Sequence, residues 1–257
     1  MVLSRIDLYP IKSLDGVSVK ESRIGAGGNL EHDRIYAIVD EAGAYVNGKR
    51  TAQVNALRTD FSKDFREAAF WINAEARKQE FVLDEPVPLN RWLSDFFGFQ
   101  VKLVCDLRSG FPDDREAFGP TITSEASLLE VVRWFPELTL RSARRRFRSN
   151  LEVSGVQPFW EDQLFGAPLE RKPFRIGEVS MLGHNPCQRC VVPTRDPDNS
   201  TRSISNFQRS FMALRKTHLP PWSNREHFNH FYRFAVNTSV PQSGRGKTLH
   251  IGDPIQV

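Results

Sequence analysis

Residues 32–43 have the sequence HDRIYAIVDEAG, in which the apolar run Arg34–Val39 ends at a polar segment that contains glycine. A short run rich in isoleucine, tyrosine and valine, followed by Asp, Glu and Gly, is typical of a β-strand that ends in a turn. The segments on both sides of this stretch repeat the same strand-and-turn pattern. The first half of the chain is therefore predicted to be rich in β-structure.

Further strands are predicted before and after this stretch. Val2–Tyr9 alternates apolar and polar residues, as a half-buried strand does. The other predicted strands are residues 17–19, 56–61, 80–83, 151–153, 174–176, 178–182, 234–236 and 249–257. Helical spacing predicts helices at 90–97, at 204–216 and from Ser124 onward, where Thr123 or Ser124 is the N-cap. The predicted fold class is α+β, dominated by strands, as in a small barrel or sandwich with a few helices.

The chain of 257 residues is long enough for two modest domains that share an interface. Residues 111–120, FPDDREAFGP, have the composition of a loop. We place a boundary near residues 98–120 and predict an N-terminal β-rich domain at residues 1–100 and a second domain at residues 101–257.

The composition excludes several classes of protein. Hydrophobic residues make up 40% of the chain and charged residues 26%, which is ordinary for a globular protein. No apolar run approaches the roughly 20 residues of a membrane span, and the N-terminus has no signal-peptide pattern. Three cysteines do not make a disulfide framework and fit a reducing compartment. We expect a soluble, cytoplasmic monomer without a membrane partner.

The positive charge is concentrated in one segment. The net charge is +4, and residues 141–148, RSARRRFR, contain five arginines in eight positions. Such a run is typical of a solvated face or of a patch that attracts phosphate. Aromatic residues are not interleaved with these arginines as in a base-stacking platform, so we expect no nucleic-acid partner.

Residues 184–190, HNPCQRC, bring three potential metal ligands, His184, Cys187 and Cys190, within seven residues. A structural zinc site needs four ligands, and the chain has no second CxxC pair to complete one. A redox-active pair is expected at a helix N-terminus, whereas residues 191–194, VVPT, have the composition of a strand or loop. A metal site, a redox pair and inert buried thiols therefore remain open from this segment alone.

Three other segments carry groups that can bind an anion. Lys12 and Ser13 follow the first predicted strand and could bind a phosphate through an ammonium and a hydroxyl, although a solvated strand end is the better explanation of these residues taken alone. Arg34 enters an apolar strand and needs an anionic partner there, which Asp33 or an anion of a ligand could supply. Residues 147–150, FRSN, lie between the basic run and the next strand.

Taken together, these segments carry a resemblance to a known family. In order along the chain they are LYPIKSLDGVSV, HDRIYAIVDEAG, SEASL, RRFRSNLEVSG, CQRCVVPTRDPD and LHIGDPIQV. The series resembles the MOSC family over nearly the whole chain, from residue 3 to residue 257. It is most similar to the two-part subfamily that contains the mitochondrial amidoxime-reducing component and its bacterial relatives.

The resemblance implies a fold and a cofactor. It implies an N-terminal MOSC_N-like domain, a C-terminal MOSC β-barrel and a molybdenum cofactor, Mo-molybdopterin, held between them. Cys190, in the RC dipeptide, is then the metal ligand and the catalytic residue. The other residues implied to bind the cofactor are Lys12, Ser13, Arg34, Thr123, Ser124, Arg148, Asn150 and Arg189. We expect the side chains of Lys12, Ser13, Arg34, Thr123, Ser124 and Arg148 to converge on one cleft.

The resemblance also implies a reaction, the reduction of small N-hydroxylated substrates such as amidoximes and hydroxylamines. We expect electrons from a separate donor protein, and Arg141–Arg146 is a candidate docking face for an acidic carrier. The alternative is a non-enzymatic molybdenum-cofactor carrier or a sulfur-transfer protein, in which Cys187 acts beside Cys190. In the enzyme, we expect Cys187 not to bind the metal, and either to contact the metal-ligand segment or simply to be buried.

Overall fold

The computed structural model describes residues 1–73, 75, 77–114, 116–198 and 203–257. The strands in these ranges are β1 Val2–Leu8, β2 Val17–Val19, β3 Glu21–Arg23, β4 Tyr36–Asp40, β5 Leu57–Phe61, β6 Glu67–Ile72, β7 Gln79–Val82, β8 Val101–Cys105, β9 Ile122–Ser124, β10 Leu151–Ser154, β11 Lys172–Ile176, β12 Val179–Gln188, β13 Arg233–Ser239, β14 Thr248–His250 and β15 Ile255–Gln256. The helices are α1 Val87–Phe97, α2 Glu125–Trp134, α3 Leu140–Phe147 and α4 Phe207–Thr217. The predicted strand-dominated α+β class is confirmed.

The largest sheet has eight strands in the order β15-β11-β12-β13-β9-β10-β1-β2. Strand β1 pairs antiparallel with β10, so the N-terminal strand belongs to the sheet of the C-terminal half. The Leu3 amide donates to the Asp253 carbonyl at 2.9 Å, which brings the two ends of the sheet together. The sheet therefore curls around one apolar core that includes Leu3, Ile122 and Val236.

The rest of the N-terminal half has its own core. Strand β4 pairs with β8, and β5, β6 and β7 form a three-stranded antiparallel sheet. Helix α1 buries Leu89 and Leu93 in the cluster that contains Phe70 and Leu103. The β1–β10 and β4–β8 pairs each join a strand before residue 100 to a strand after it. The domain boundary at residue 100 therefore stays a prediction.

A third apolar cluster joins helices α2, α3 and α4 to strands β12 and β13. It contains Leu128, Phe147, Phe211 and Phe234 and also encloses the Cys187 side chain. Helix α2 begins after Ser124, whose side chain accepts a hydrogen bond from the Ser127 amide at 3.1 Å. The predicted N-cap at Ser124 is therefore confirmed.

No helix within the described ranges combines the length and the apolar character needed to cross a bilayer.

Candidate functional site

The segment after β1 runs beside the segment that leads into β4. The Lys12 amide donates to the Tyr36 carbonyl at 2.8 Å, and the Arg34 amide donates to the Tyr9 carbonyl at 2.9 Å. Ser13 and Arg34 both have left-handed backbone conformations, with φ of 73° and 53°. Non-glycine residues adopt this conformation at a cost, which is commonly met at functional sites. The two turns direct Lys12 and Arg34 to one place.

Three cationic side chains, Lys12, Arg34 and Arg148, meet at this place, and we call them the cationic cluster. The centre of the Tyr9 ring lies 5.3 Å from Arg34 Cζ and 4.1 Å from Arg148 Cζ. Lys12 and Arg34 also both approach the carboxylate of Asp113. Residues that are more than 130 positions apart in the sequence are therefore brought into one cluster.

Both guanidinium groups lie near the Tyr9 ring. Burial raises the pKa of the Tyr9 phenol well above its usual range, and Asp7 raises it further. The ring is therefore neutral, and its π-face attracts cations. An anion placed beside the ring would relieve the repulsion between Arg34 and Arg148.

Asn150 connects the cluster to the large sheet. Its Oδ1 accepts hydrogen bonds from Arg34 Nη1 and from the Thr121 amide, both at 3.2 Å. Its Nδ2 donates to the Asp7 carbonyl at 3.0 Å. Because both ends of this amide are engaged, Asn150 fixes the direction of the Arg34 side chain.

Arg148 differs from the other two cations in its partners. It follows α3 in a left-handed conformation, and its Nη1 donates to the Leu14 carbonyl at 2.5 Å. Within the described part of the chain no carboxylate lies within the 4.0 Å that defines an ion pair with Arg148. Burial lowers the pKa of this guanidinium, yet an arginine side chain keeps its charge in a protein. Arg148 thus presents a charge and donors that protein carboxylates do not neutralise.

Arg148 faces a cavity of ≈ 620 Å³ that lies between segments of the N-terminal and C-terminal halves. Ser13 and Leu14 contribute to its wall, as do Val192 and Pro197 on the opposite side. The charged residues of the described wall are Arg5, Arg58, Arg141, Arg144, Arg145, Arg146, Arg148 and Arg195, with Asp7, Asp15 and Asp60. Arginines outnumber carboxylates in this wall, which creates a positive potential that attracts anionic ligands.

The basic run of residues 141–148 belongs to this wall, and residues 140–147 form helix α3. Arg144 pairs with Glu152 at 2.6 Å, and Arg145 pairs with Asp15 at 3.3 Å. Arg146 is buried and donates to the Pro193 carbonyl at 2.9 Å. The run is therefore not a solvated face. The docking role predicted for it stays a prediction that would depend on the exposed Arg141.

Thr123 and Ser124 are fully buried, and their hydroxyls have other partners. Thr123 Oγ1 donates to Glu161 at 3.0 Å, and Ser124 Oγ lies 2.7 Å from Ser127 Oγ while it caps α2. The structure does not direct these two hydroxyls towards the cationic cluster. A cofactor contact through either residue stays a prediction.

Strand β12 continues to Gln188, so most of the HNPCQRC segment is strand. His184 Nε2 lies 2.7 Å from Ser239 Oγ, whereas Cys187 Sγ donates to Asn237 Oδ1 at 2.7 Å. Burial lowers the pKa of His184 to about 4, so its ring is neutral at pH 7. No group of three or more His, Cys, Asp and Glu side chains in the described ranges is placed to hold a metal ion. This geometry does not support the interpretation of His184, Cys187 and Cys190 as one three-ligand site.

Cys187 and Cys190 lie in different environments. Cys187 is buried, and this burial raises the pKa of its thiol to about 11. Cys190 is partly exposed just beyond the end of β12. Arg189 anchors that position, since its amide donates to the Tyr232 carbonyl at 3.0 Å and its Nη2 donates to the Phe147 carbonyl at 2.5 Å. Of the two thiols, Cys190 is the more accessible to a ligand.

Several buried polar atoms in this region have no hydrogen-bond partner among the described residues. They include Ser149 Oγ, Arg146 Nε and Arg189 Nε. Buried donors are normally satisfied, so unpaired ones require an explanation such as a missing ligand or water. These donors, the cationic cluster and the arginine-lined cavity fit a ligand that is polar and carries an anionic group.

Sequence reasoning does not identify several of these residues as members of a site. Asp113 belongs to a segment whose sequence predicts only a loop, and the sequence predicts no role for Tyr9. Arg58 and Arg195 line the cavity as well. No sequence signal assigns these residues, because their contacts depend on how the two halves pack.

Two family models match the chain. Residues 1–85 match the MOSC N-terminal beta barrel domain, and residues 117–256 match the MOSC domain. The second match alone covers more than half of the 257 residues.

Curated relatives match over nearly the whole chain at low identity. A protein of Culex quinquefasciatus named molybdenum cofactor sulfurase 2 is 23% identical over 99% of this chain, but the chain spans only 37% of that protein's length. Mitochondrial amidoxime reducing component 2 of Bos taurus is 23% identical over 98% of this chain and 82% of its own length. Mitochondrial amidoxime-reducing component 1 of Homo sapiens is 22% identical with the same coverage.

Among solved structures, the YUAD protein from Bacillus subtilis is similar over 98% of this chain and 92% of its own length. The two share 11% sequence identity, with a TM-score of 0.38.

Proposed function

The chain belongs to the MOSC family, and we propose that its arginine-lined cavity and cationic cluster bind the molybdenum cofactor. The observation that carries this proposal is Arg148, a cation on the cavity wall without a carboxylate partner among the described residues. The cofactor ends in a phosphate, and arginine is well suited to bind a phosphate through paired hydrogen bonds. Lys12 and Arg34 lie beside it and are paired with the carboxylates of Asp113 and Asp33.

We assign a separate role to each part of the site. Lys12, Ser13, Arg34 and Arg148 would hold the phosphate, and Asn150 would keep Arg34 in place. The unpaired donors Ser149 Oγ and Arg189 Nε would meet polar atoms of the pterin. Thr123 and Ser124 would contribute at most through their backbone, because their hydroxyls are engaged elsewhere.

Cys190 is the proposed metal ligand. It is the accessible thiol of the pair, and it follows Arg189, which is fixed to Tyr232 just before β13 and to Phe147 at the end of α3. A thiolate is a soft ligand that suits a metal of this kind. Cys187 is a poor candidate, since its thiol is buried and donates a hydrogen bond to Asn237 Oδ1.

The finer proposal is an oxidoreductase that reduces N-hydroxylated substrates with electrons from a separate donor protein. When bound, the cofactor supplies two-electron oxygen-atom chemistry, while the protein supplies binding, orientation and electrostatics. The amidoxime-reducing names of relatives matched over 82% of their length support this choice. The substrate would have to approach the partly exposed side of Cys190.

The alternative is a cofactor carrier or a sulfur-transfer protein, which the sulfurase name of one relative favours. That relative is matched over only 37% of its length. A persulfide relay would need a second reactive thiol near Cys190. The buried, protonated Cys187 is not well suited to that task.

Turnover separates the enzyme from the carrier. Protein made in a host that synthesises the cofactor should reduce a hydroxylamine with a chemically reduced viologen as the electron donor, measured as viologen oxidation. Protein made in a host that lacks the cofactor should not. Molybdenum-loaded protein that fails to turn over would contradict the reductase proposal and leave the carrier.

A further inference from the structure

The segment 111–113 contacts two members of the cationic cluster, Lys12 and Arg34. Lys12 Nζ donates to the Phe111 carbonyl at 2.9 Å, to the Pro112 carbonyl at 3.3 Å and to the Asp113 carboxylate. The second oxygen of that carboxylate lies 3.8 Å from Arg34 Nε. One exposed acidic side chain therefore bridges two cations.

Exposure distinguishes the carboxylate from the cations it bridges. The Asp113 side chain is 74% exposed, whereas those of Lys12 and Arg34 are 10% and 13% exposed. A carboxylate with this exposure could be released to water without being buried elsewhere. Arg34 cannot follow it, because the Arg34 amide and side chain are tied to Tyr9, Asp33 and Asn150. The Lys12 ammonium keeps the Phe111 and Pro112 carbonyls as partners when the carboxylate leaves.

The backbone around Asp113 has fixed points on both sides. Gly110 has a φ of 62°, and a Cβ there would lie 3.0 Å from the Arg34 carbonyl. The Phe111 amide donates to that same carbonyl at 2.8 Å, and the Gly119 amide donates to the Thr238 carbonyl at 2.9 Å. Movement of the Asp113 side chain would therefore stay local.

We infer that Asp113 is a displaceable substitute for the anionic group of the ligand. Its carboxylate occupies Lys12 and Arg34 when the site is empty and gives way when a phosphate binds. This inference rests on the proposed function, because it concerns the same site. A phosphate carries more charge and more acceptor oxygens than one carboxylate, so it competes effectively for these donors. Competition of this kind raises the apparent Kd in inverse proportion to the fraction of molecules that are open.

The test uses cofactor-free full-length protein and inorganic phosphate as the probe, titrated by calorimetry at pH 7 and low salt. If Asp113 occupies the pair in about nine molecules of ten, Asp113→Asn should tighten phosphate binding about tenfold. Glu116→Gln is the matched control, since it removes one negative charge from the same exposed loop and the Glu116 side chain has no contact with the cluster. Lys12→Ala in either background should abolish the binding and thereby assign it to this site.

Hydrogen exchange gives a second measurement that does not need a variant. The Asp113 amide should exchange faster when phosphate is bound to the parent protein, whereas the Phe111 amide, which donates to the Arg34 carbonyl, should keep its exchange rate. The inference would be overturned if the parent and Asp113→Asn bound phosphate with equal affinity, or if Glu116→Gln gained as much phosphate affinity as Asp113→Asn. Binding that still depended on Lys12 would in either case remain consistent with the proposed function. If neither the parent nor any variant bound phosphate, the inference would also be overturned. The proposed function would then be tested separately by measuring the cofactor content of cofactor-loaded protein.

Discussion

Replacing Cys190 by alanine should abolish the reduction of a hydroxylamine by cofactor-loaded protein, whichever electron donor is used. In the proposed site this thiolate is the one protein ligand of the metal, and no other accessible cysteine of the described structure lies next to Arg189. Cofactor should still be present after purification, because the cationic cluster and not the thiol holds the phosphate. The measurement is steady-state turnover together with metal content.

Cys187→Ala is the matched control for that variant. Cys187 is three residues away, is buried and donates a hydrogen bond to Asn237 Oδ1. Its loss should leave turnover within about tenfold of the parent, the range expected for a group that supports a metal ligand indirectly. An inactive Cys187 variant beside an active Cys190 variant would show that the two thiols have been assigned the wrong way round.

A second large effect is expected on stability. Arg215 on α4 pairs with Asp162, and both side chains are almost completely buried. Arg215 Cζ also lies 3.9 Å from the centre of the Phe159 ring. Asp162→Asn would leave a buried guanidinium without its counter-charge, which is expected to lower the free energy of unfolding by about 3–5 kcal/mol. Denaturant unfolding monitored by tryptophan fluorescence measures this difference.

Two further variants make that measurement specific. Glu130→Gln removes one partner of the Arg133–Glu130 pair at 3.0 Å and should cost at most about 1 kcal/mol, because the Arg133 side chain left behind is 74% exposed to water. The double change Asp162→Leu with Arg215→Met should recover much of the loss, because no unpaired charge remains. Equal small losses in Asp162→Asn and Glu130→Gln would mean that burial does not govern this pair.

Local sequence patterns are enough to predict many of the elements. The alternation in Val2–Tyr9 predicts β1, and the Ser124 N-cap signal predicts the start of α2. Helix α3 is hidden by its arginines, although Leu140, Ala143 and Phe147 have helical spacing and Thr139 caps the helix. Charge dominates the sequence pattern there, whereas the buried face determines the structure.

Pairing between distant segments could not be predicted in the same way. Strand β3 has only three residues, and its partner β14 lies more than 200 positions later. A strand so short carries too few residues for a pattern of its own, and nothing local indicates its partner. The antiparallel pairing of β1 with β10 is equally invisible from the N-terminal sequence.

The candidate site shows the same limit. Lys12, Arg34 and Arg148 were singled out through the ordered resemblance, since each alone is explained equally well as a solvated or locally paired cation. The structure brings these three together. Asp113 could not be predicted as their neighbour, because the contacts of a loop residue depend on how the two halves of the chain pack together.

The most direct test of the account is the molybdenum and cofactor content of protein purified from a host that makes the cofactor. We predict about one molybdenum per chain in the parent protein and in Arg133→Ala, which removes an arginine that is 74% exposed. Arg148→Ala should bind the cofactor about tenfold to a hundredfold more weakly, the range expected for loss of one charged hydrogen-bond donor, and should lose it on gel filtration. A parent protein without molybdenum, or an Arg148 variant that retains as much as Arg133→Ala, would contradict the claim that this cluster holds the cofactor.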